Sequence, residues 1–468
     1  MSIATGGSPD AATEPTPEQE ARRRRTVVWV VALATLGLIF DGYDLVVYGT
    51  VVPLFLSDPG QIGQVTPPVA GALGSYALFG VLVGALLAGS VADIVGRRKV
   101  MLTAYAWFSV GMGATALMDT VGGFGLMRFL TGIGVGALVA TTGALVAEYA
   151  PAGKKNLANA ITYSGVPIGS LLAALLAILL LGEIGWRGMF WIGAIPLVTL
   201  LPLAFFLMPE SPSWLASRGR LEEARRVSER TGVPIIATSS PAPGDATTPV
   251  RRERAGFAGL FGRQYWFPTL VLGFMSATGL ILVYVLNTWL PELMGRAGYS
   301  TQGSLSFLLV LNGGAVVAAL VASRLADRFG PKLVVAASFL IGAIALALLT
   351  VDAPLALLLL FVAVVGAGTS GTQILIYGFV ANYYRTNVRS AGVAWCAGFG
   401  RLGGVAGPMV GGLLVAAGLE LEAIFYVLTG LAAFGALLTL LVPVARRAVA
   451  ARAVPVEPTG AAQPSAGR

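Results

Sequence analysis

Four ionisable side chains stand in stretches otherwise too apolar to hold them. Asp41 and Asp44 lie in Phe40-Asp41-Gly42-Tyr43-Asp44-Leu45, Arg128 follows Gly125-Leu126-Met127, and Arg401 lies in Phe399-Gly400-Arg401-Leu402. A charge at the centre of a lipid-spanning helix costs about 2.5–3.5 kcal/mol on insertion scales, and a long arginine escapes by snorkelling only near a helix end. Asp41 and Asp44 are i and i+3, so they share one helix face. Counted from Val27 they lie roughly 21 and 25 Å into their helix, and Arg128 lies roughly 12 Å from the opposite boundary of its own. In a hydrocarbon layer about 30 Å thick the three share a depth. Two carboxylates that close in low dielectric cannot both ionise easily, so this set could load and release a proton, with Asp44 and Asp41 as the coupling groups and Arg128 as their modulator. The alternative is a fixed ion pair locking two helices. Arg401, roughly 17 Å into its helix, has no intramembrane acid in its own half of the chain. An unpaired guanidinium binds a carboxylate in bidentate fashion, so the expected ligand is an organic anion. Pairing with Asp41 or Asp44, or with backbone carbonyls, is the other outcome.

A ring-bearing anion also needs flat apolar walls. Tyr43, Tyr48, Trp107, Tyr284, Trp289, Tyr377, Trp395 and Phe399 lie on or near helices that could line a cavity. Aromatic pairs add about 0.5–1.5 kcal/mol beyond burial, although aromatics near helix ends also form interfacial belts. Trp289, beside Pro291, is assigned to such a belt. Asn312 and Gln373 are mid-helix amides that either bind a ring hydroxyl or bond between helices. Other chemistries are excluded by composition. Histidine is absent and Cys396 is the one cysteine, which removes His-based metal sites, Ser-His-Asp and Cys-His nucleophiles and disulfides. Cys396 is expected to pack. The glycine-rich runs lack a Lys-Ser/Thr tail, so they are not phosphate loops. No cofactor, no metal and no enzymatic activity are expected.

The positioning elements follow from composition. Of 468 residues, 56% are hydrophobic and 12% charged, against about 25% charged in a soluble domain; mean hydropathy is +0.79. The outer surface should therefore face lipid. Spans of about 20 apolar residues fall near 27–55, 69–91, 99–118, 120–148, 157–182, 187–208, 266–290, 302–323, 333–351, 355–381, 390–417 and 421–443, twelve in all. Arg22–Arg25 before the first imitates a signal peptide, but no small-residue cleavage site follows a short apolar core, so the span is expected to be retained. Of 31 Lys and Arg, 27 fall on one side, Arg187 and Arg296 fall on the other, and Arg128 and Arg401 lie within spans. By the positive-inside rule the basic side is cytoplasmic, with both termini, in a cell inner (plasma) membrane. The net charge of +8 is thus a topology signal and not a nucleic-acid footprint. The chain divides into a disordered N-terminus (1–25), a six-helix bundle (26–209), a cytoplasmic linker with short helices (210–264), a second bundle (265–445) and a tail (446–468). Within the linker, Leu221, Ala224 and Val227 suggest an interfacial helix, and 232–250 an extended connection.

The halves echo one another. Ala92-Asp93-x-x-Gly96-Arg97-Arg98-Lys99 joins spans 2 and 3, and Ala326-Asp327-x-x-Gly330-Pro331-Lys332 joins spans 8 and 9. The offset from Asp93 to Asp327, 234, also carries Gly132 to Gly366, Gly134 to Gly368, Glu148 to Asn382, Tyr149 to Tyr383 and Gly169 to Gly403. Two parallel repeats with a midplane site between them are the plan of a secondary transporter.

These strings resemble the major facilitator superfamily over essentially the whole membrane part. Asp93-x-x-Gly96-Arg97-Arg98-Lys99 resembles its loop signature and Arg128-x-x-x-Gly132-x-Gly134-x-Gly136 its span-4 motif. Gly403-x-x-x-Gly407-Pro408-x-x-Gly411-Gly412 resembles an antiporter motif of span 5, but here it sits in span 11, so no antiport is inferred. The span-1 string from Phe40 to Gly49 resembles the aromatic acid:proton symporter family (benzoate and 4-hydroxybenzoate transporter-like), and Pro209-Glu210-Ser211-Pro212-Ser213-Trp214-Leu215 fits that family and sugar porters alike. The resemblance implies import of benzoate-type or hydroxybenzoate-type anions with protons by alternating access. It also implies a gate at the loop signature formed by Asp93, Arg97 and Arg98, for whose arginines simple positive-inside anchoring is the alternative; Glu148, Arg389 and, in the second copy where Pro331 replaces the first arginine, Asp327 are the further gating candidates. Asp93 closes a helix whose dipole opposes its charge, so Arg97 or Arg389 should compensate it. The substrate set is then Arg401, Tyr43, Tyr48, Asn312, Gln373, Tyr377, Trp395 and Phe399. Transport of shikimate-like acids or sugars, or drug:proton export, are the alternatives; the partners are substrate, proton and lipid, and the chain is taken as a monomer.

Overall fold

A chain in hydrocarbon must satisfy its backbone groups within each segment, which leaves helices or closed barrels. The computed structural model describes residues 16–151, 155–235 and 257–443, and they are helical throughout apart from short connections. The first half holds α1 (Pro17–Ser57), α2 (Pro67–Val95), α3 (Arg97–Ala116), α4 (Val121–Tyr149), α5 (Lys155–Tyr163), α6 (Gly165–Ala194) and α7 (Leu200–Leu207). Two linker helices follow, α8 (Pro212–Ser217) and α9 (Leu221–Thr231), then α10 (Phe257–Leu260). The second half holds α11 (Trp266–Arg296), α12 (Thr301–Phe329), α13 (Pro331–Leu348), α14 (Leu355–Gly366), α15 (Thr372–Tyr383), α16 (Thr386–Ala416) and α17 (Leu421–Leu441).

Among the described residues, ten helical stretches are long and apolar enough to cross a membrane. The 51-residue stretch Leu157–Leu207 counts there as one, yet Gly185 has φ +65° and ψ −179° and breaks it in two. The 20-residue α3 begins with Arg97, Arg98 and Lys99, which lower its mean hydropathy. Counting both, the fold is consistent with twelve crossings, and the face where α1 begins is also the face where α17 ends (the terminal face below). One boundary differs from expectation. α1 starts at Pro17, so residues 17–25, expected to be disordered, are helical. Thr16 and Gln19 form a reciprocal capping box there, and the helix docks on the linker through Thr26 Oγ1 to Thr231 O, 3.3 Å. Residues 1–15 and most of 232–250 lie outside the described residues, as does the tail from 444. The interfacial helix expected at Leu221 is α9.

The repeat is a structural fact. α2 and α12 have 29 residues each and begin and end 234 residues apart. Gly96 and Gly330, which join each to the next helix, carry φ +109° and +87°, a region open to glycine. A Cβ on Gly80 would meet the Phe129 oxygen at 2.1 Å, and one on Gly314 the Ala363 oxygen at 2.1 Å; Gly132 meets Ala77 at 2.1 Å and Gly366 meets Leu311 at 1.9 Å. Every member of these pairs has its counterpart 234 residues on. Small residues let backbones approach where the hydrophobic effect gives no drive between helices. Not every glycine serves this way, since nothing lies near Gly89.

Each half forms a bundle, and the substantial packing between them is α1 on α11, α2 on α16 and α6 on α12. The tightest contacts gather away from the terminal face. Ser75 Oγ donates to Val405 O at 2.6 Å, and a Cβ on Gly49 would lie 2.0 Å from the Asn287 oxygen. Trp289 belongs to this seal. Expected in an interfacial belt, it is fully buried, with Nε1 donating to Pro408 O at 2.9 Å and its ring over Gly411. The four glycines of the span-11 motif are therefore a packing surface, Gly403, Gly407 and Gly411 for α11 and Gly412 for α2. In the loop beyond α1, Asp58 accepts from Gln61 Nε2 (2.6 Å) and Gly60 N (2.8 Å); these bonds hold its carboxyl below the usual range.

Gly366→Ala should lower stability by about 1–3 kcal/mol through overpacking, whereas Gly89→Ala should leave it unchanged. Thermal unfolding of the purified variants reads the difference.

Candidate functional site

Seven helices enclose a central cavity of about 130 Å³. Asp41, Asp44 and Tyr48 come from α1, Arg128 from α4, Tyr284 and Thr288 from α11, Tyr377 from α15 and Arg401 from α16, with apolar walls from Ala77, Val81, Val135, Val139 and Leu280. Both carboxylates and both intramembrane arginines thus line one space. Tyr48, Thr288 and Pro408 bound it on the sealed side, where Tyr48 OH donates to Ala70 O at 2.6 Å.

The four charges are not equivalent. Arg128 Nη1 donates to Asp44 Oδ1 in an ion pair whose side chains are 3% and 5% exposed. The guanidinium also lies over the rings of Tyr48 (5.4 Å) and Phe190 (5.8 Å). Those rings border a T-shaped cluster of Phe55, Phe124 and Trp186. The pair is therefore walled on one side by aromatics of α1, α4 and α6. Asp41 and Arg401 are half-buried and, among the described residues, neither makes an ion pair within 4.0 Å. Their charges interact across the cavity.

Several expected lining residues point elsewhere. Tyr43 turns into the first bundle and donates to Met189 O at 2.7 Å. Asn312 donates to Asn287 Oδ1 and Leu308 O, both at 3.0 Å, so it bonds between helices. Trp395 donates to Thr269 O at 2.9 Å and stacks on Phe399; both rings cover Gly273 at the α11–α16 contact. Trp107 is 48% exposed. In each case a backbone carbonyl, an amide or a glycine groove on a neighbouring helix takes the group. Gln373 lies behind Tyr377, donates to Ser276 Oγ at 3.1 Å, and keeps a buried Oε1 without a partner. Thr288, whose hydroxyl gave no sequence signal, is a lining residue that was not foreseen. Just before Gln373 the helix widens into a π turn over Ala367–Gly371, a feature frequent at functional sites. Cys396 packs in the core with Sγ near Leu272 O.

At the terminal face, Arg97 bonds Asp93 Oδ1 at 2.8 Å and Glu148 Oε1 at 3.0 Å. Arg97 is therefore the residue that compensates Asp93. The Arg98 guanidinium makes no ion pair among the described residues; it donates to Phe205 O at 2.6 Å and covers the Phe205 ring, while the Arg98 backbone N donates to Glu210 Oε1 at 3.1 Å. Arg389 is half-buried with an unpartnered Nε, and Asp327 is exposed. The charged network thus stays within the first bundle, and the second copy, with Pro331 in place of Arg97, has none among the described residues.

With the architecture and cavity defined, comparison with known proteins becomes informative. Residues 30–446 match the model of the sugar (and other) transporter family. The chain belongs to that family. It is 37% identical to the benzoate transport protein of Acinetobacter baylyi, over 82% of this chain and 83% of that protein. It is 35% identical to the gentisate transporter of Corynebacterium glutamicum (81% and 79% covered), and 32% to the gallate transporter of Pseudomonas putida (88% and 90%). Among solved structures, a D-xylose-proton symporter superposes with a TM-score of 0.69 at 20% identity, covering 88% of this chain and 97% of that one. At that identity the likeness shows the fold, which a related structure names as that of the major facilitator superfamily.

Removing one member of the buried pair leaves an uncompensated charge, so Asp44→Asn should destabilise this membrane transporter by about 3–5 kcal/mol. Adding Arg128→Met to it should recover most of the loss. Unfolding midpoints of the single and double variants test this.

Proposed function

We propose that this family member carries small aromatic monocarboxylates of the benzoate or hydroxybenzoate type into the cell together with a proton, by alternating access in the plasma membrane with both termini cytoplasmic. The observation that carries the reading is Arg401, a guanidinium lining the cavity with no ion-pair partner among the described residues. The names of the relatives supply the aromatic acid, and Tyr48, Tyr284 and Tyr377 supply ring-sized walls.

Asp41 is the proton carrier in this reading, because Asp44 is already committed to Arg128. With that pair neutral, Asp41 and Arg401 balance each other in the empty cavity. A bound monocarboxylate adds one negative charge, and in a low-dielectric site the imbalance is costly. One proton on Asp41 cancels it. Each cycle then moves one anion and one proton, with no net charge. A second carboxylate on the substrate finds no further free cation among the described lining residues, so this reading favours monocarboxylates over dicarboxylates such as phthalate. Asp93, Arg97 and Glu148 hold the cytoplasmic gate on the first bundle. The cytoplasmic gate is open in this arrangement, since the tight contacts between bundles lie on the other side.

Three outcomes are expected in proteoliposomes. Benzoate or 4-hydroxybenzoate accumulates with an acid-outside gradient and does not respond to an imposed membrane potential; potential-driven uptake would contradict the charge balance. Asp41→Asn abolishes accumulation while substrate exchange persists; retained acid-driven accumulation would remove Asp41 from the proton path. Arg401→Lys keeps the charge and loses the fork, so apparent affinity falls by about tenfold or more, the equivalent of a charged hydrogen bond of about 1.5–3 kcal/mol. An unchanged affinity would rule out bidentate anchoring.

A further inference from the structure

The central cavity has two unlike ends. Arg401 and Pro408 line it from α16 and stand seven residues apart, as do Asp41 and Tyr48 on α1. At 1.5 Å per residue each pair spans about 10 Å of helix. Asp41 and Arg401 mark one end, and Tyr48, Pro408 and Thr288 mark the sealed end. Tyr284 and Tyr377 interact electrostatically with Arg401, which sets their hydroxyls toward the charged end. The volume of about 130 Å³ is close to that of a cavity that takes up one benzene ring, about 150 Å³. An arene whose carboxylate is held at Arg401 therefore fills the space and turns its far edge toward the sealed end.

At that end one polar side chain is uncommitted. Tyr48 OH donates to Ala70 O at 2.6 Å, and the Asn287 amide beside Thr288 is taken up by Val283 O and Asn312. A threonine within a helix can satisfy its hydroxyl on the carbonyl four residues back. Thr115 and Thr131 do so at 2.7 Å, and Thr369 and Thr439 at 2.8 Å. Thr288 is 5% exposed, yet its hydroxyl makes no hydrogen bond among the described residues, and the residue lines the cavity. A buried hydroxyl without a partner is costly, and a hydroxyl on the far edge of a bound ring would satisfy it.

We propose that Thr288 is a specificity-determining residue, whose hydroxyl pairs with a hydroxyl on the ring carbon opposite the carboxylate, so that the site selects 4-hydroxybenzoate-type acids over benzoate. The inference rests on the reading of Arg401 as the carboxylate anchor. A site that hydrogen-bonds a substrate hydroxyl discriminates against the analogue lacking it, because its own polar group is then left unpaired. A methyl group in the same ring position fills the space and leaves Thr288 unsatisfied.

The test is the apparent affinity of the full chain in proteoliposomes for labelled 4-hydroxybenzoate, 4-methylbenzoate and benzoate. The wild type should bind the hydroxy acid about fivefold or more tightly than the methyl acid, the range of one neutral hydrogen bond. Thr288→Val, which keeps the shape and removes the hydroxyl, should weaken 4-hydroxybenzoate about fivefold to tenfold and leave benzoate unchanged. Thr288→Ser should restore the preference. Equal wild-type affinity for the hydroxy and methyl acids overturns the proposal, whether or not a variant folds. So does a Thr288→Val loss shared by all three acids, the mark of a merely structural role, or a preference that survives that substitution. A wild type that takes up none of the three acids would overturn the aromatic-acid reading itself, and this inference with it.

Discussion

A charge held in hydrocarbon must be neutralised close by, and the structure turns on how it meets that demand. Asp44 and Arg128 meet it for each other, and so tie α1 to α4 at the level of the cavity. Tyr48 and Phe190 stand against the guanidinium and help keep water from the pair. What remains is one acid, Asp41, and one base, Arg401, contributed by opposite bundles and facing one space. The structural pair ties two helices together beside the cavity, and the uncommitted pair is the one to which the proposed function assigns the change of charge.

Backbone proximity is the second constraint. Gly80, Gly132, Gly314 and Gly366 let paired helices touch main chain to main chain, and their contacts repeat with one offset. That repetition gives the two halves the same internal frame. Function enters where the halves differ. Gly169 meets Ile39, but Gly403 meets Ala277, one turn beyond the repeat-equivalent position. The π turn before Gln373 has no counterpart, since residues 133–137 are regular helix. The acids lie on α1 and not on α11, and Arg401 lies on α16 where the first half has Pro167. In the proposed mechanism, asymmetric groups on a symmetric frame give one bundle the proton site and the other the anion site.

Legibility varied with the kind of argument. Asp44 and Arg128 were readable as neighbours because helical rise fixes depth and buried charge demands a partner. Their fixed pairing was one of two open outcomes, and depth could not choose between them. Trp289 shows the limit for aromatics. A tryptophan near a proline and a span end suits a belt, yet rotation of α11 turned it onto Gly411. Tyr43, Trp395 and Phe399 went the same way, since a ring's facing depends on helix rotation and that is set by packing. The early start of α1 was hidden by a polar, proline-rich composition, although Thr16 and Gln19 are a capping pair.

By itself the sequence determined the lipid-facing class, the spans, the repeat and its register, and the presence of costly charges at one depth. Each of these rests on local composition or on spacing along one helix. Only the tertiary structure decided which acid Arg128 takes, that Asp41 and Arg401 stay unpaired across one cavity, and which tyrosines wall it. Those outcomes depend on distances between helices far apart in the chain, and such distances are set by how glycine faces and side-chain volumes fit together.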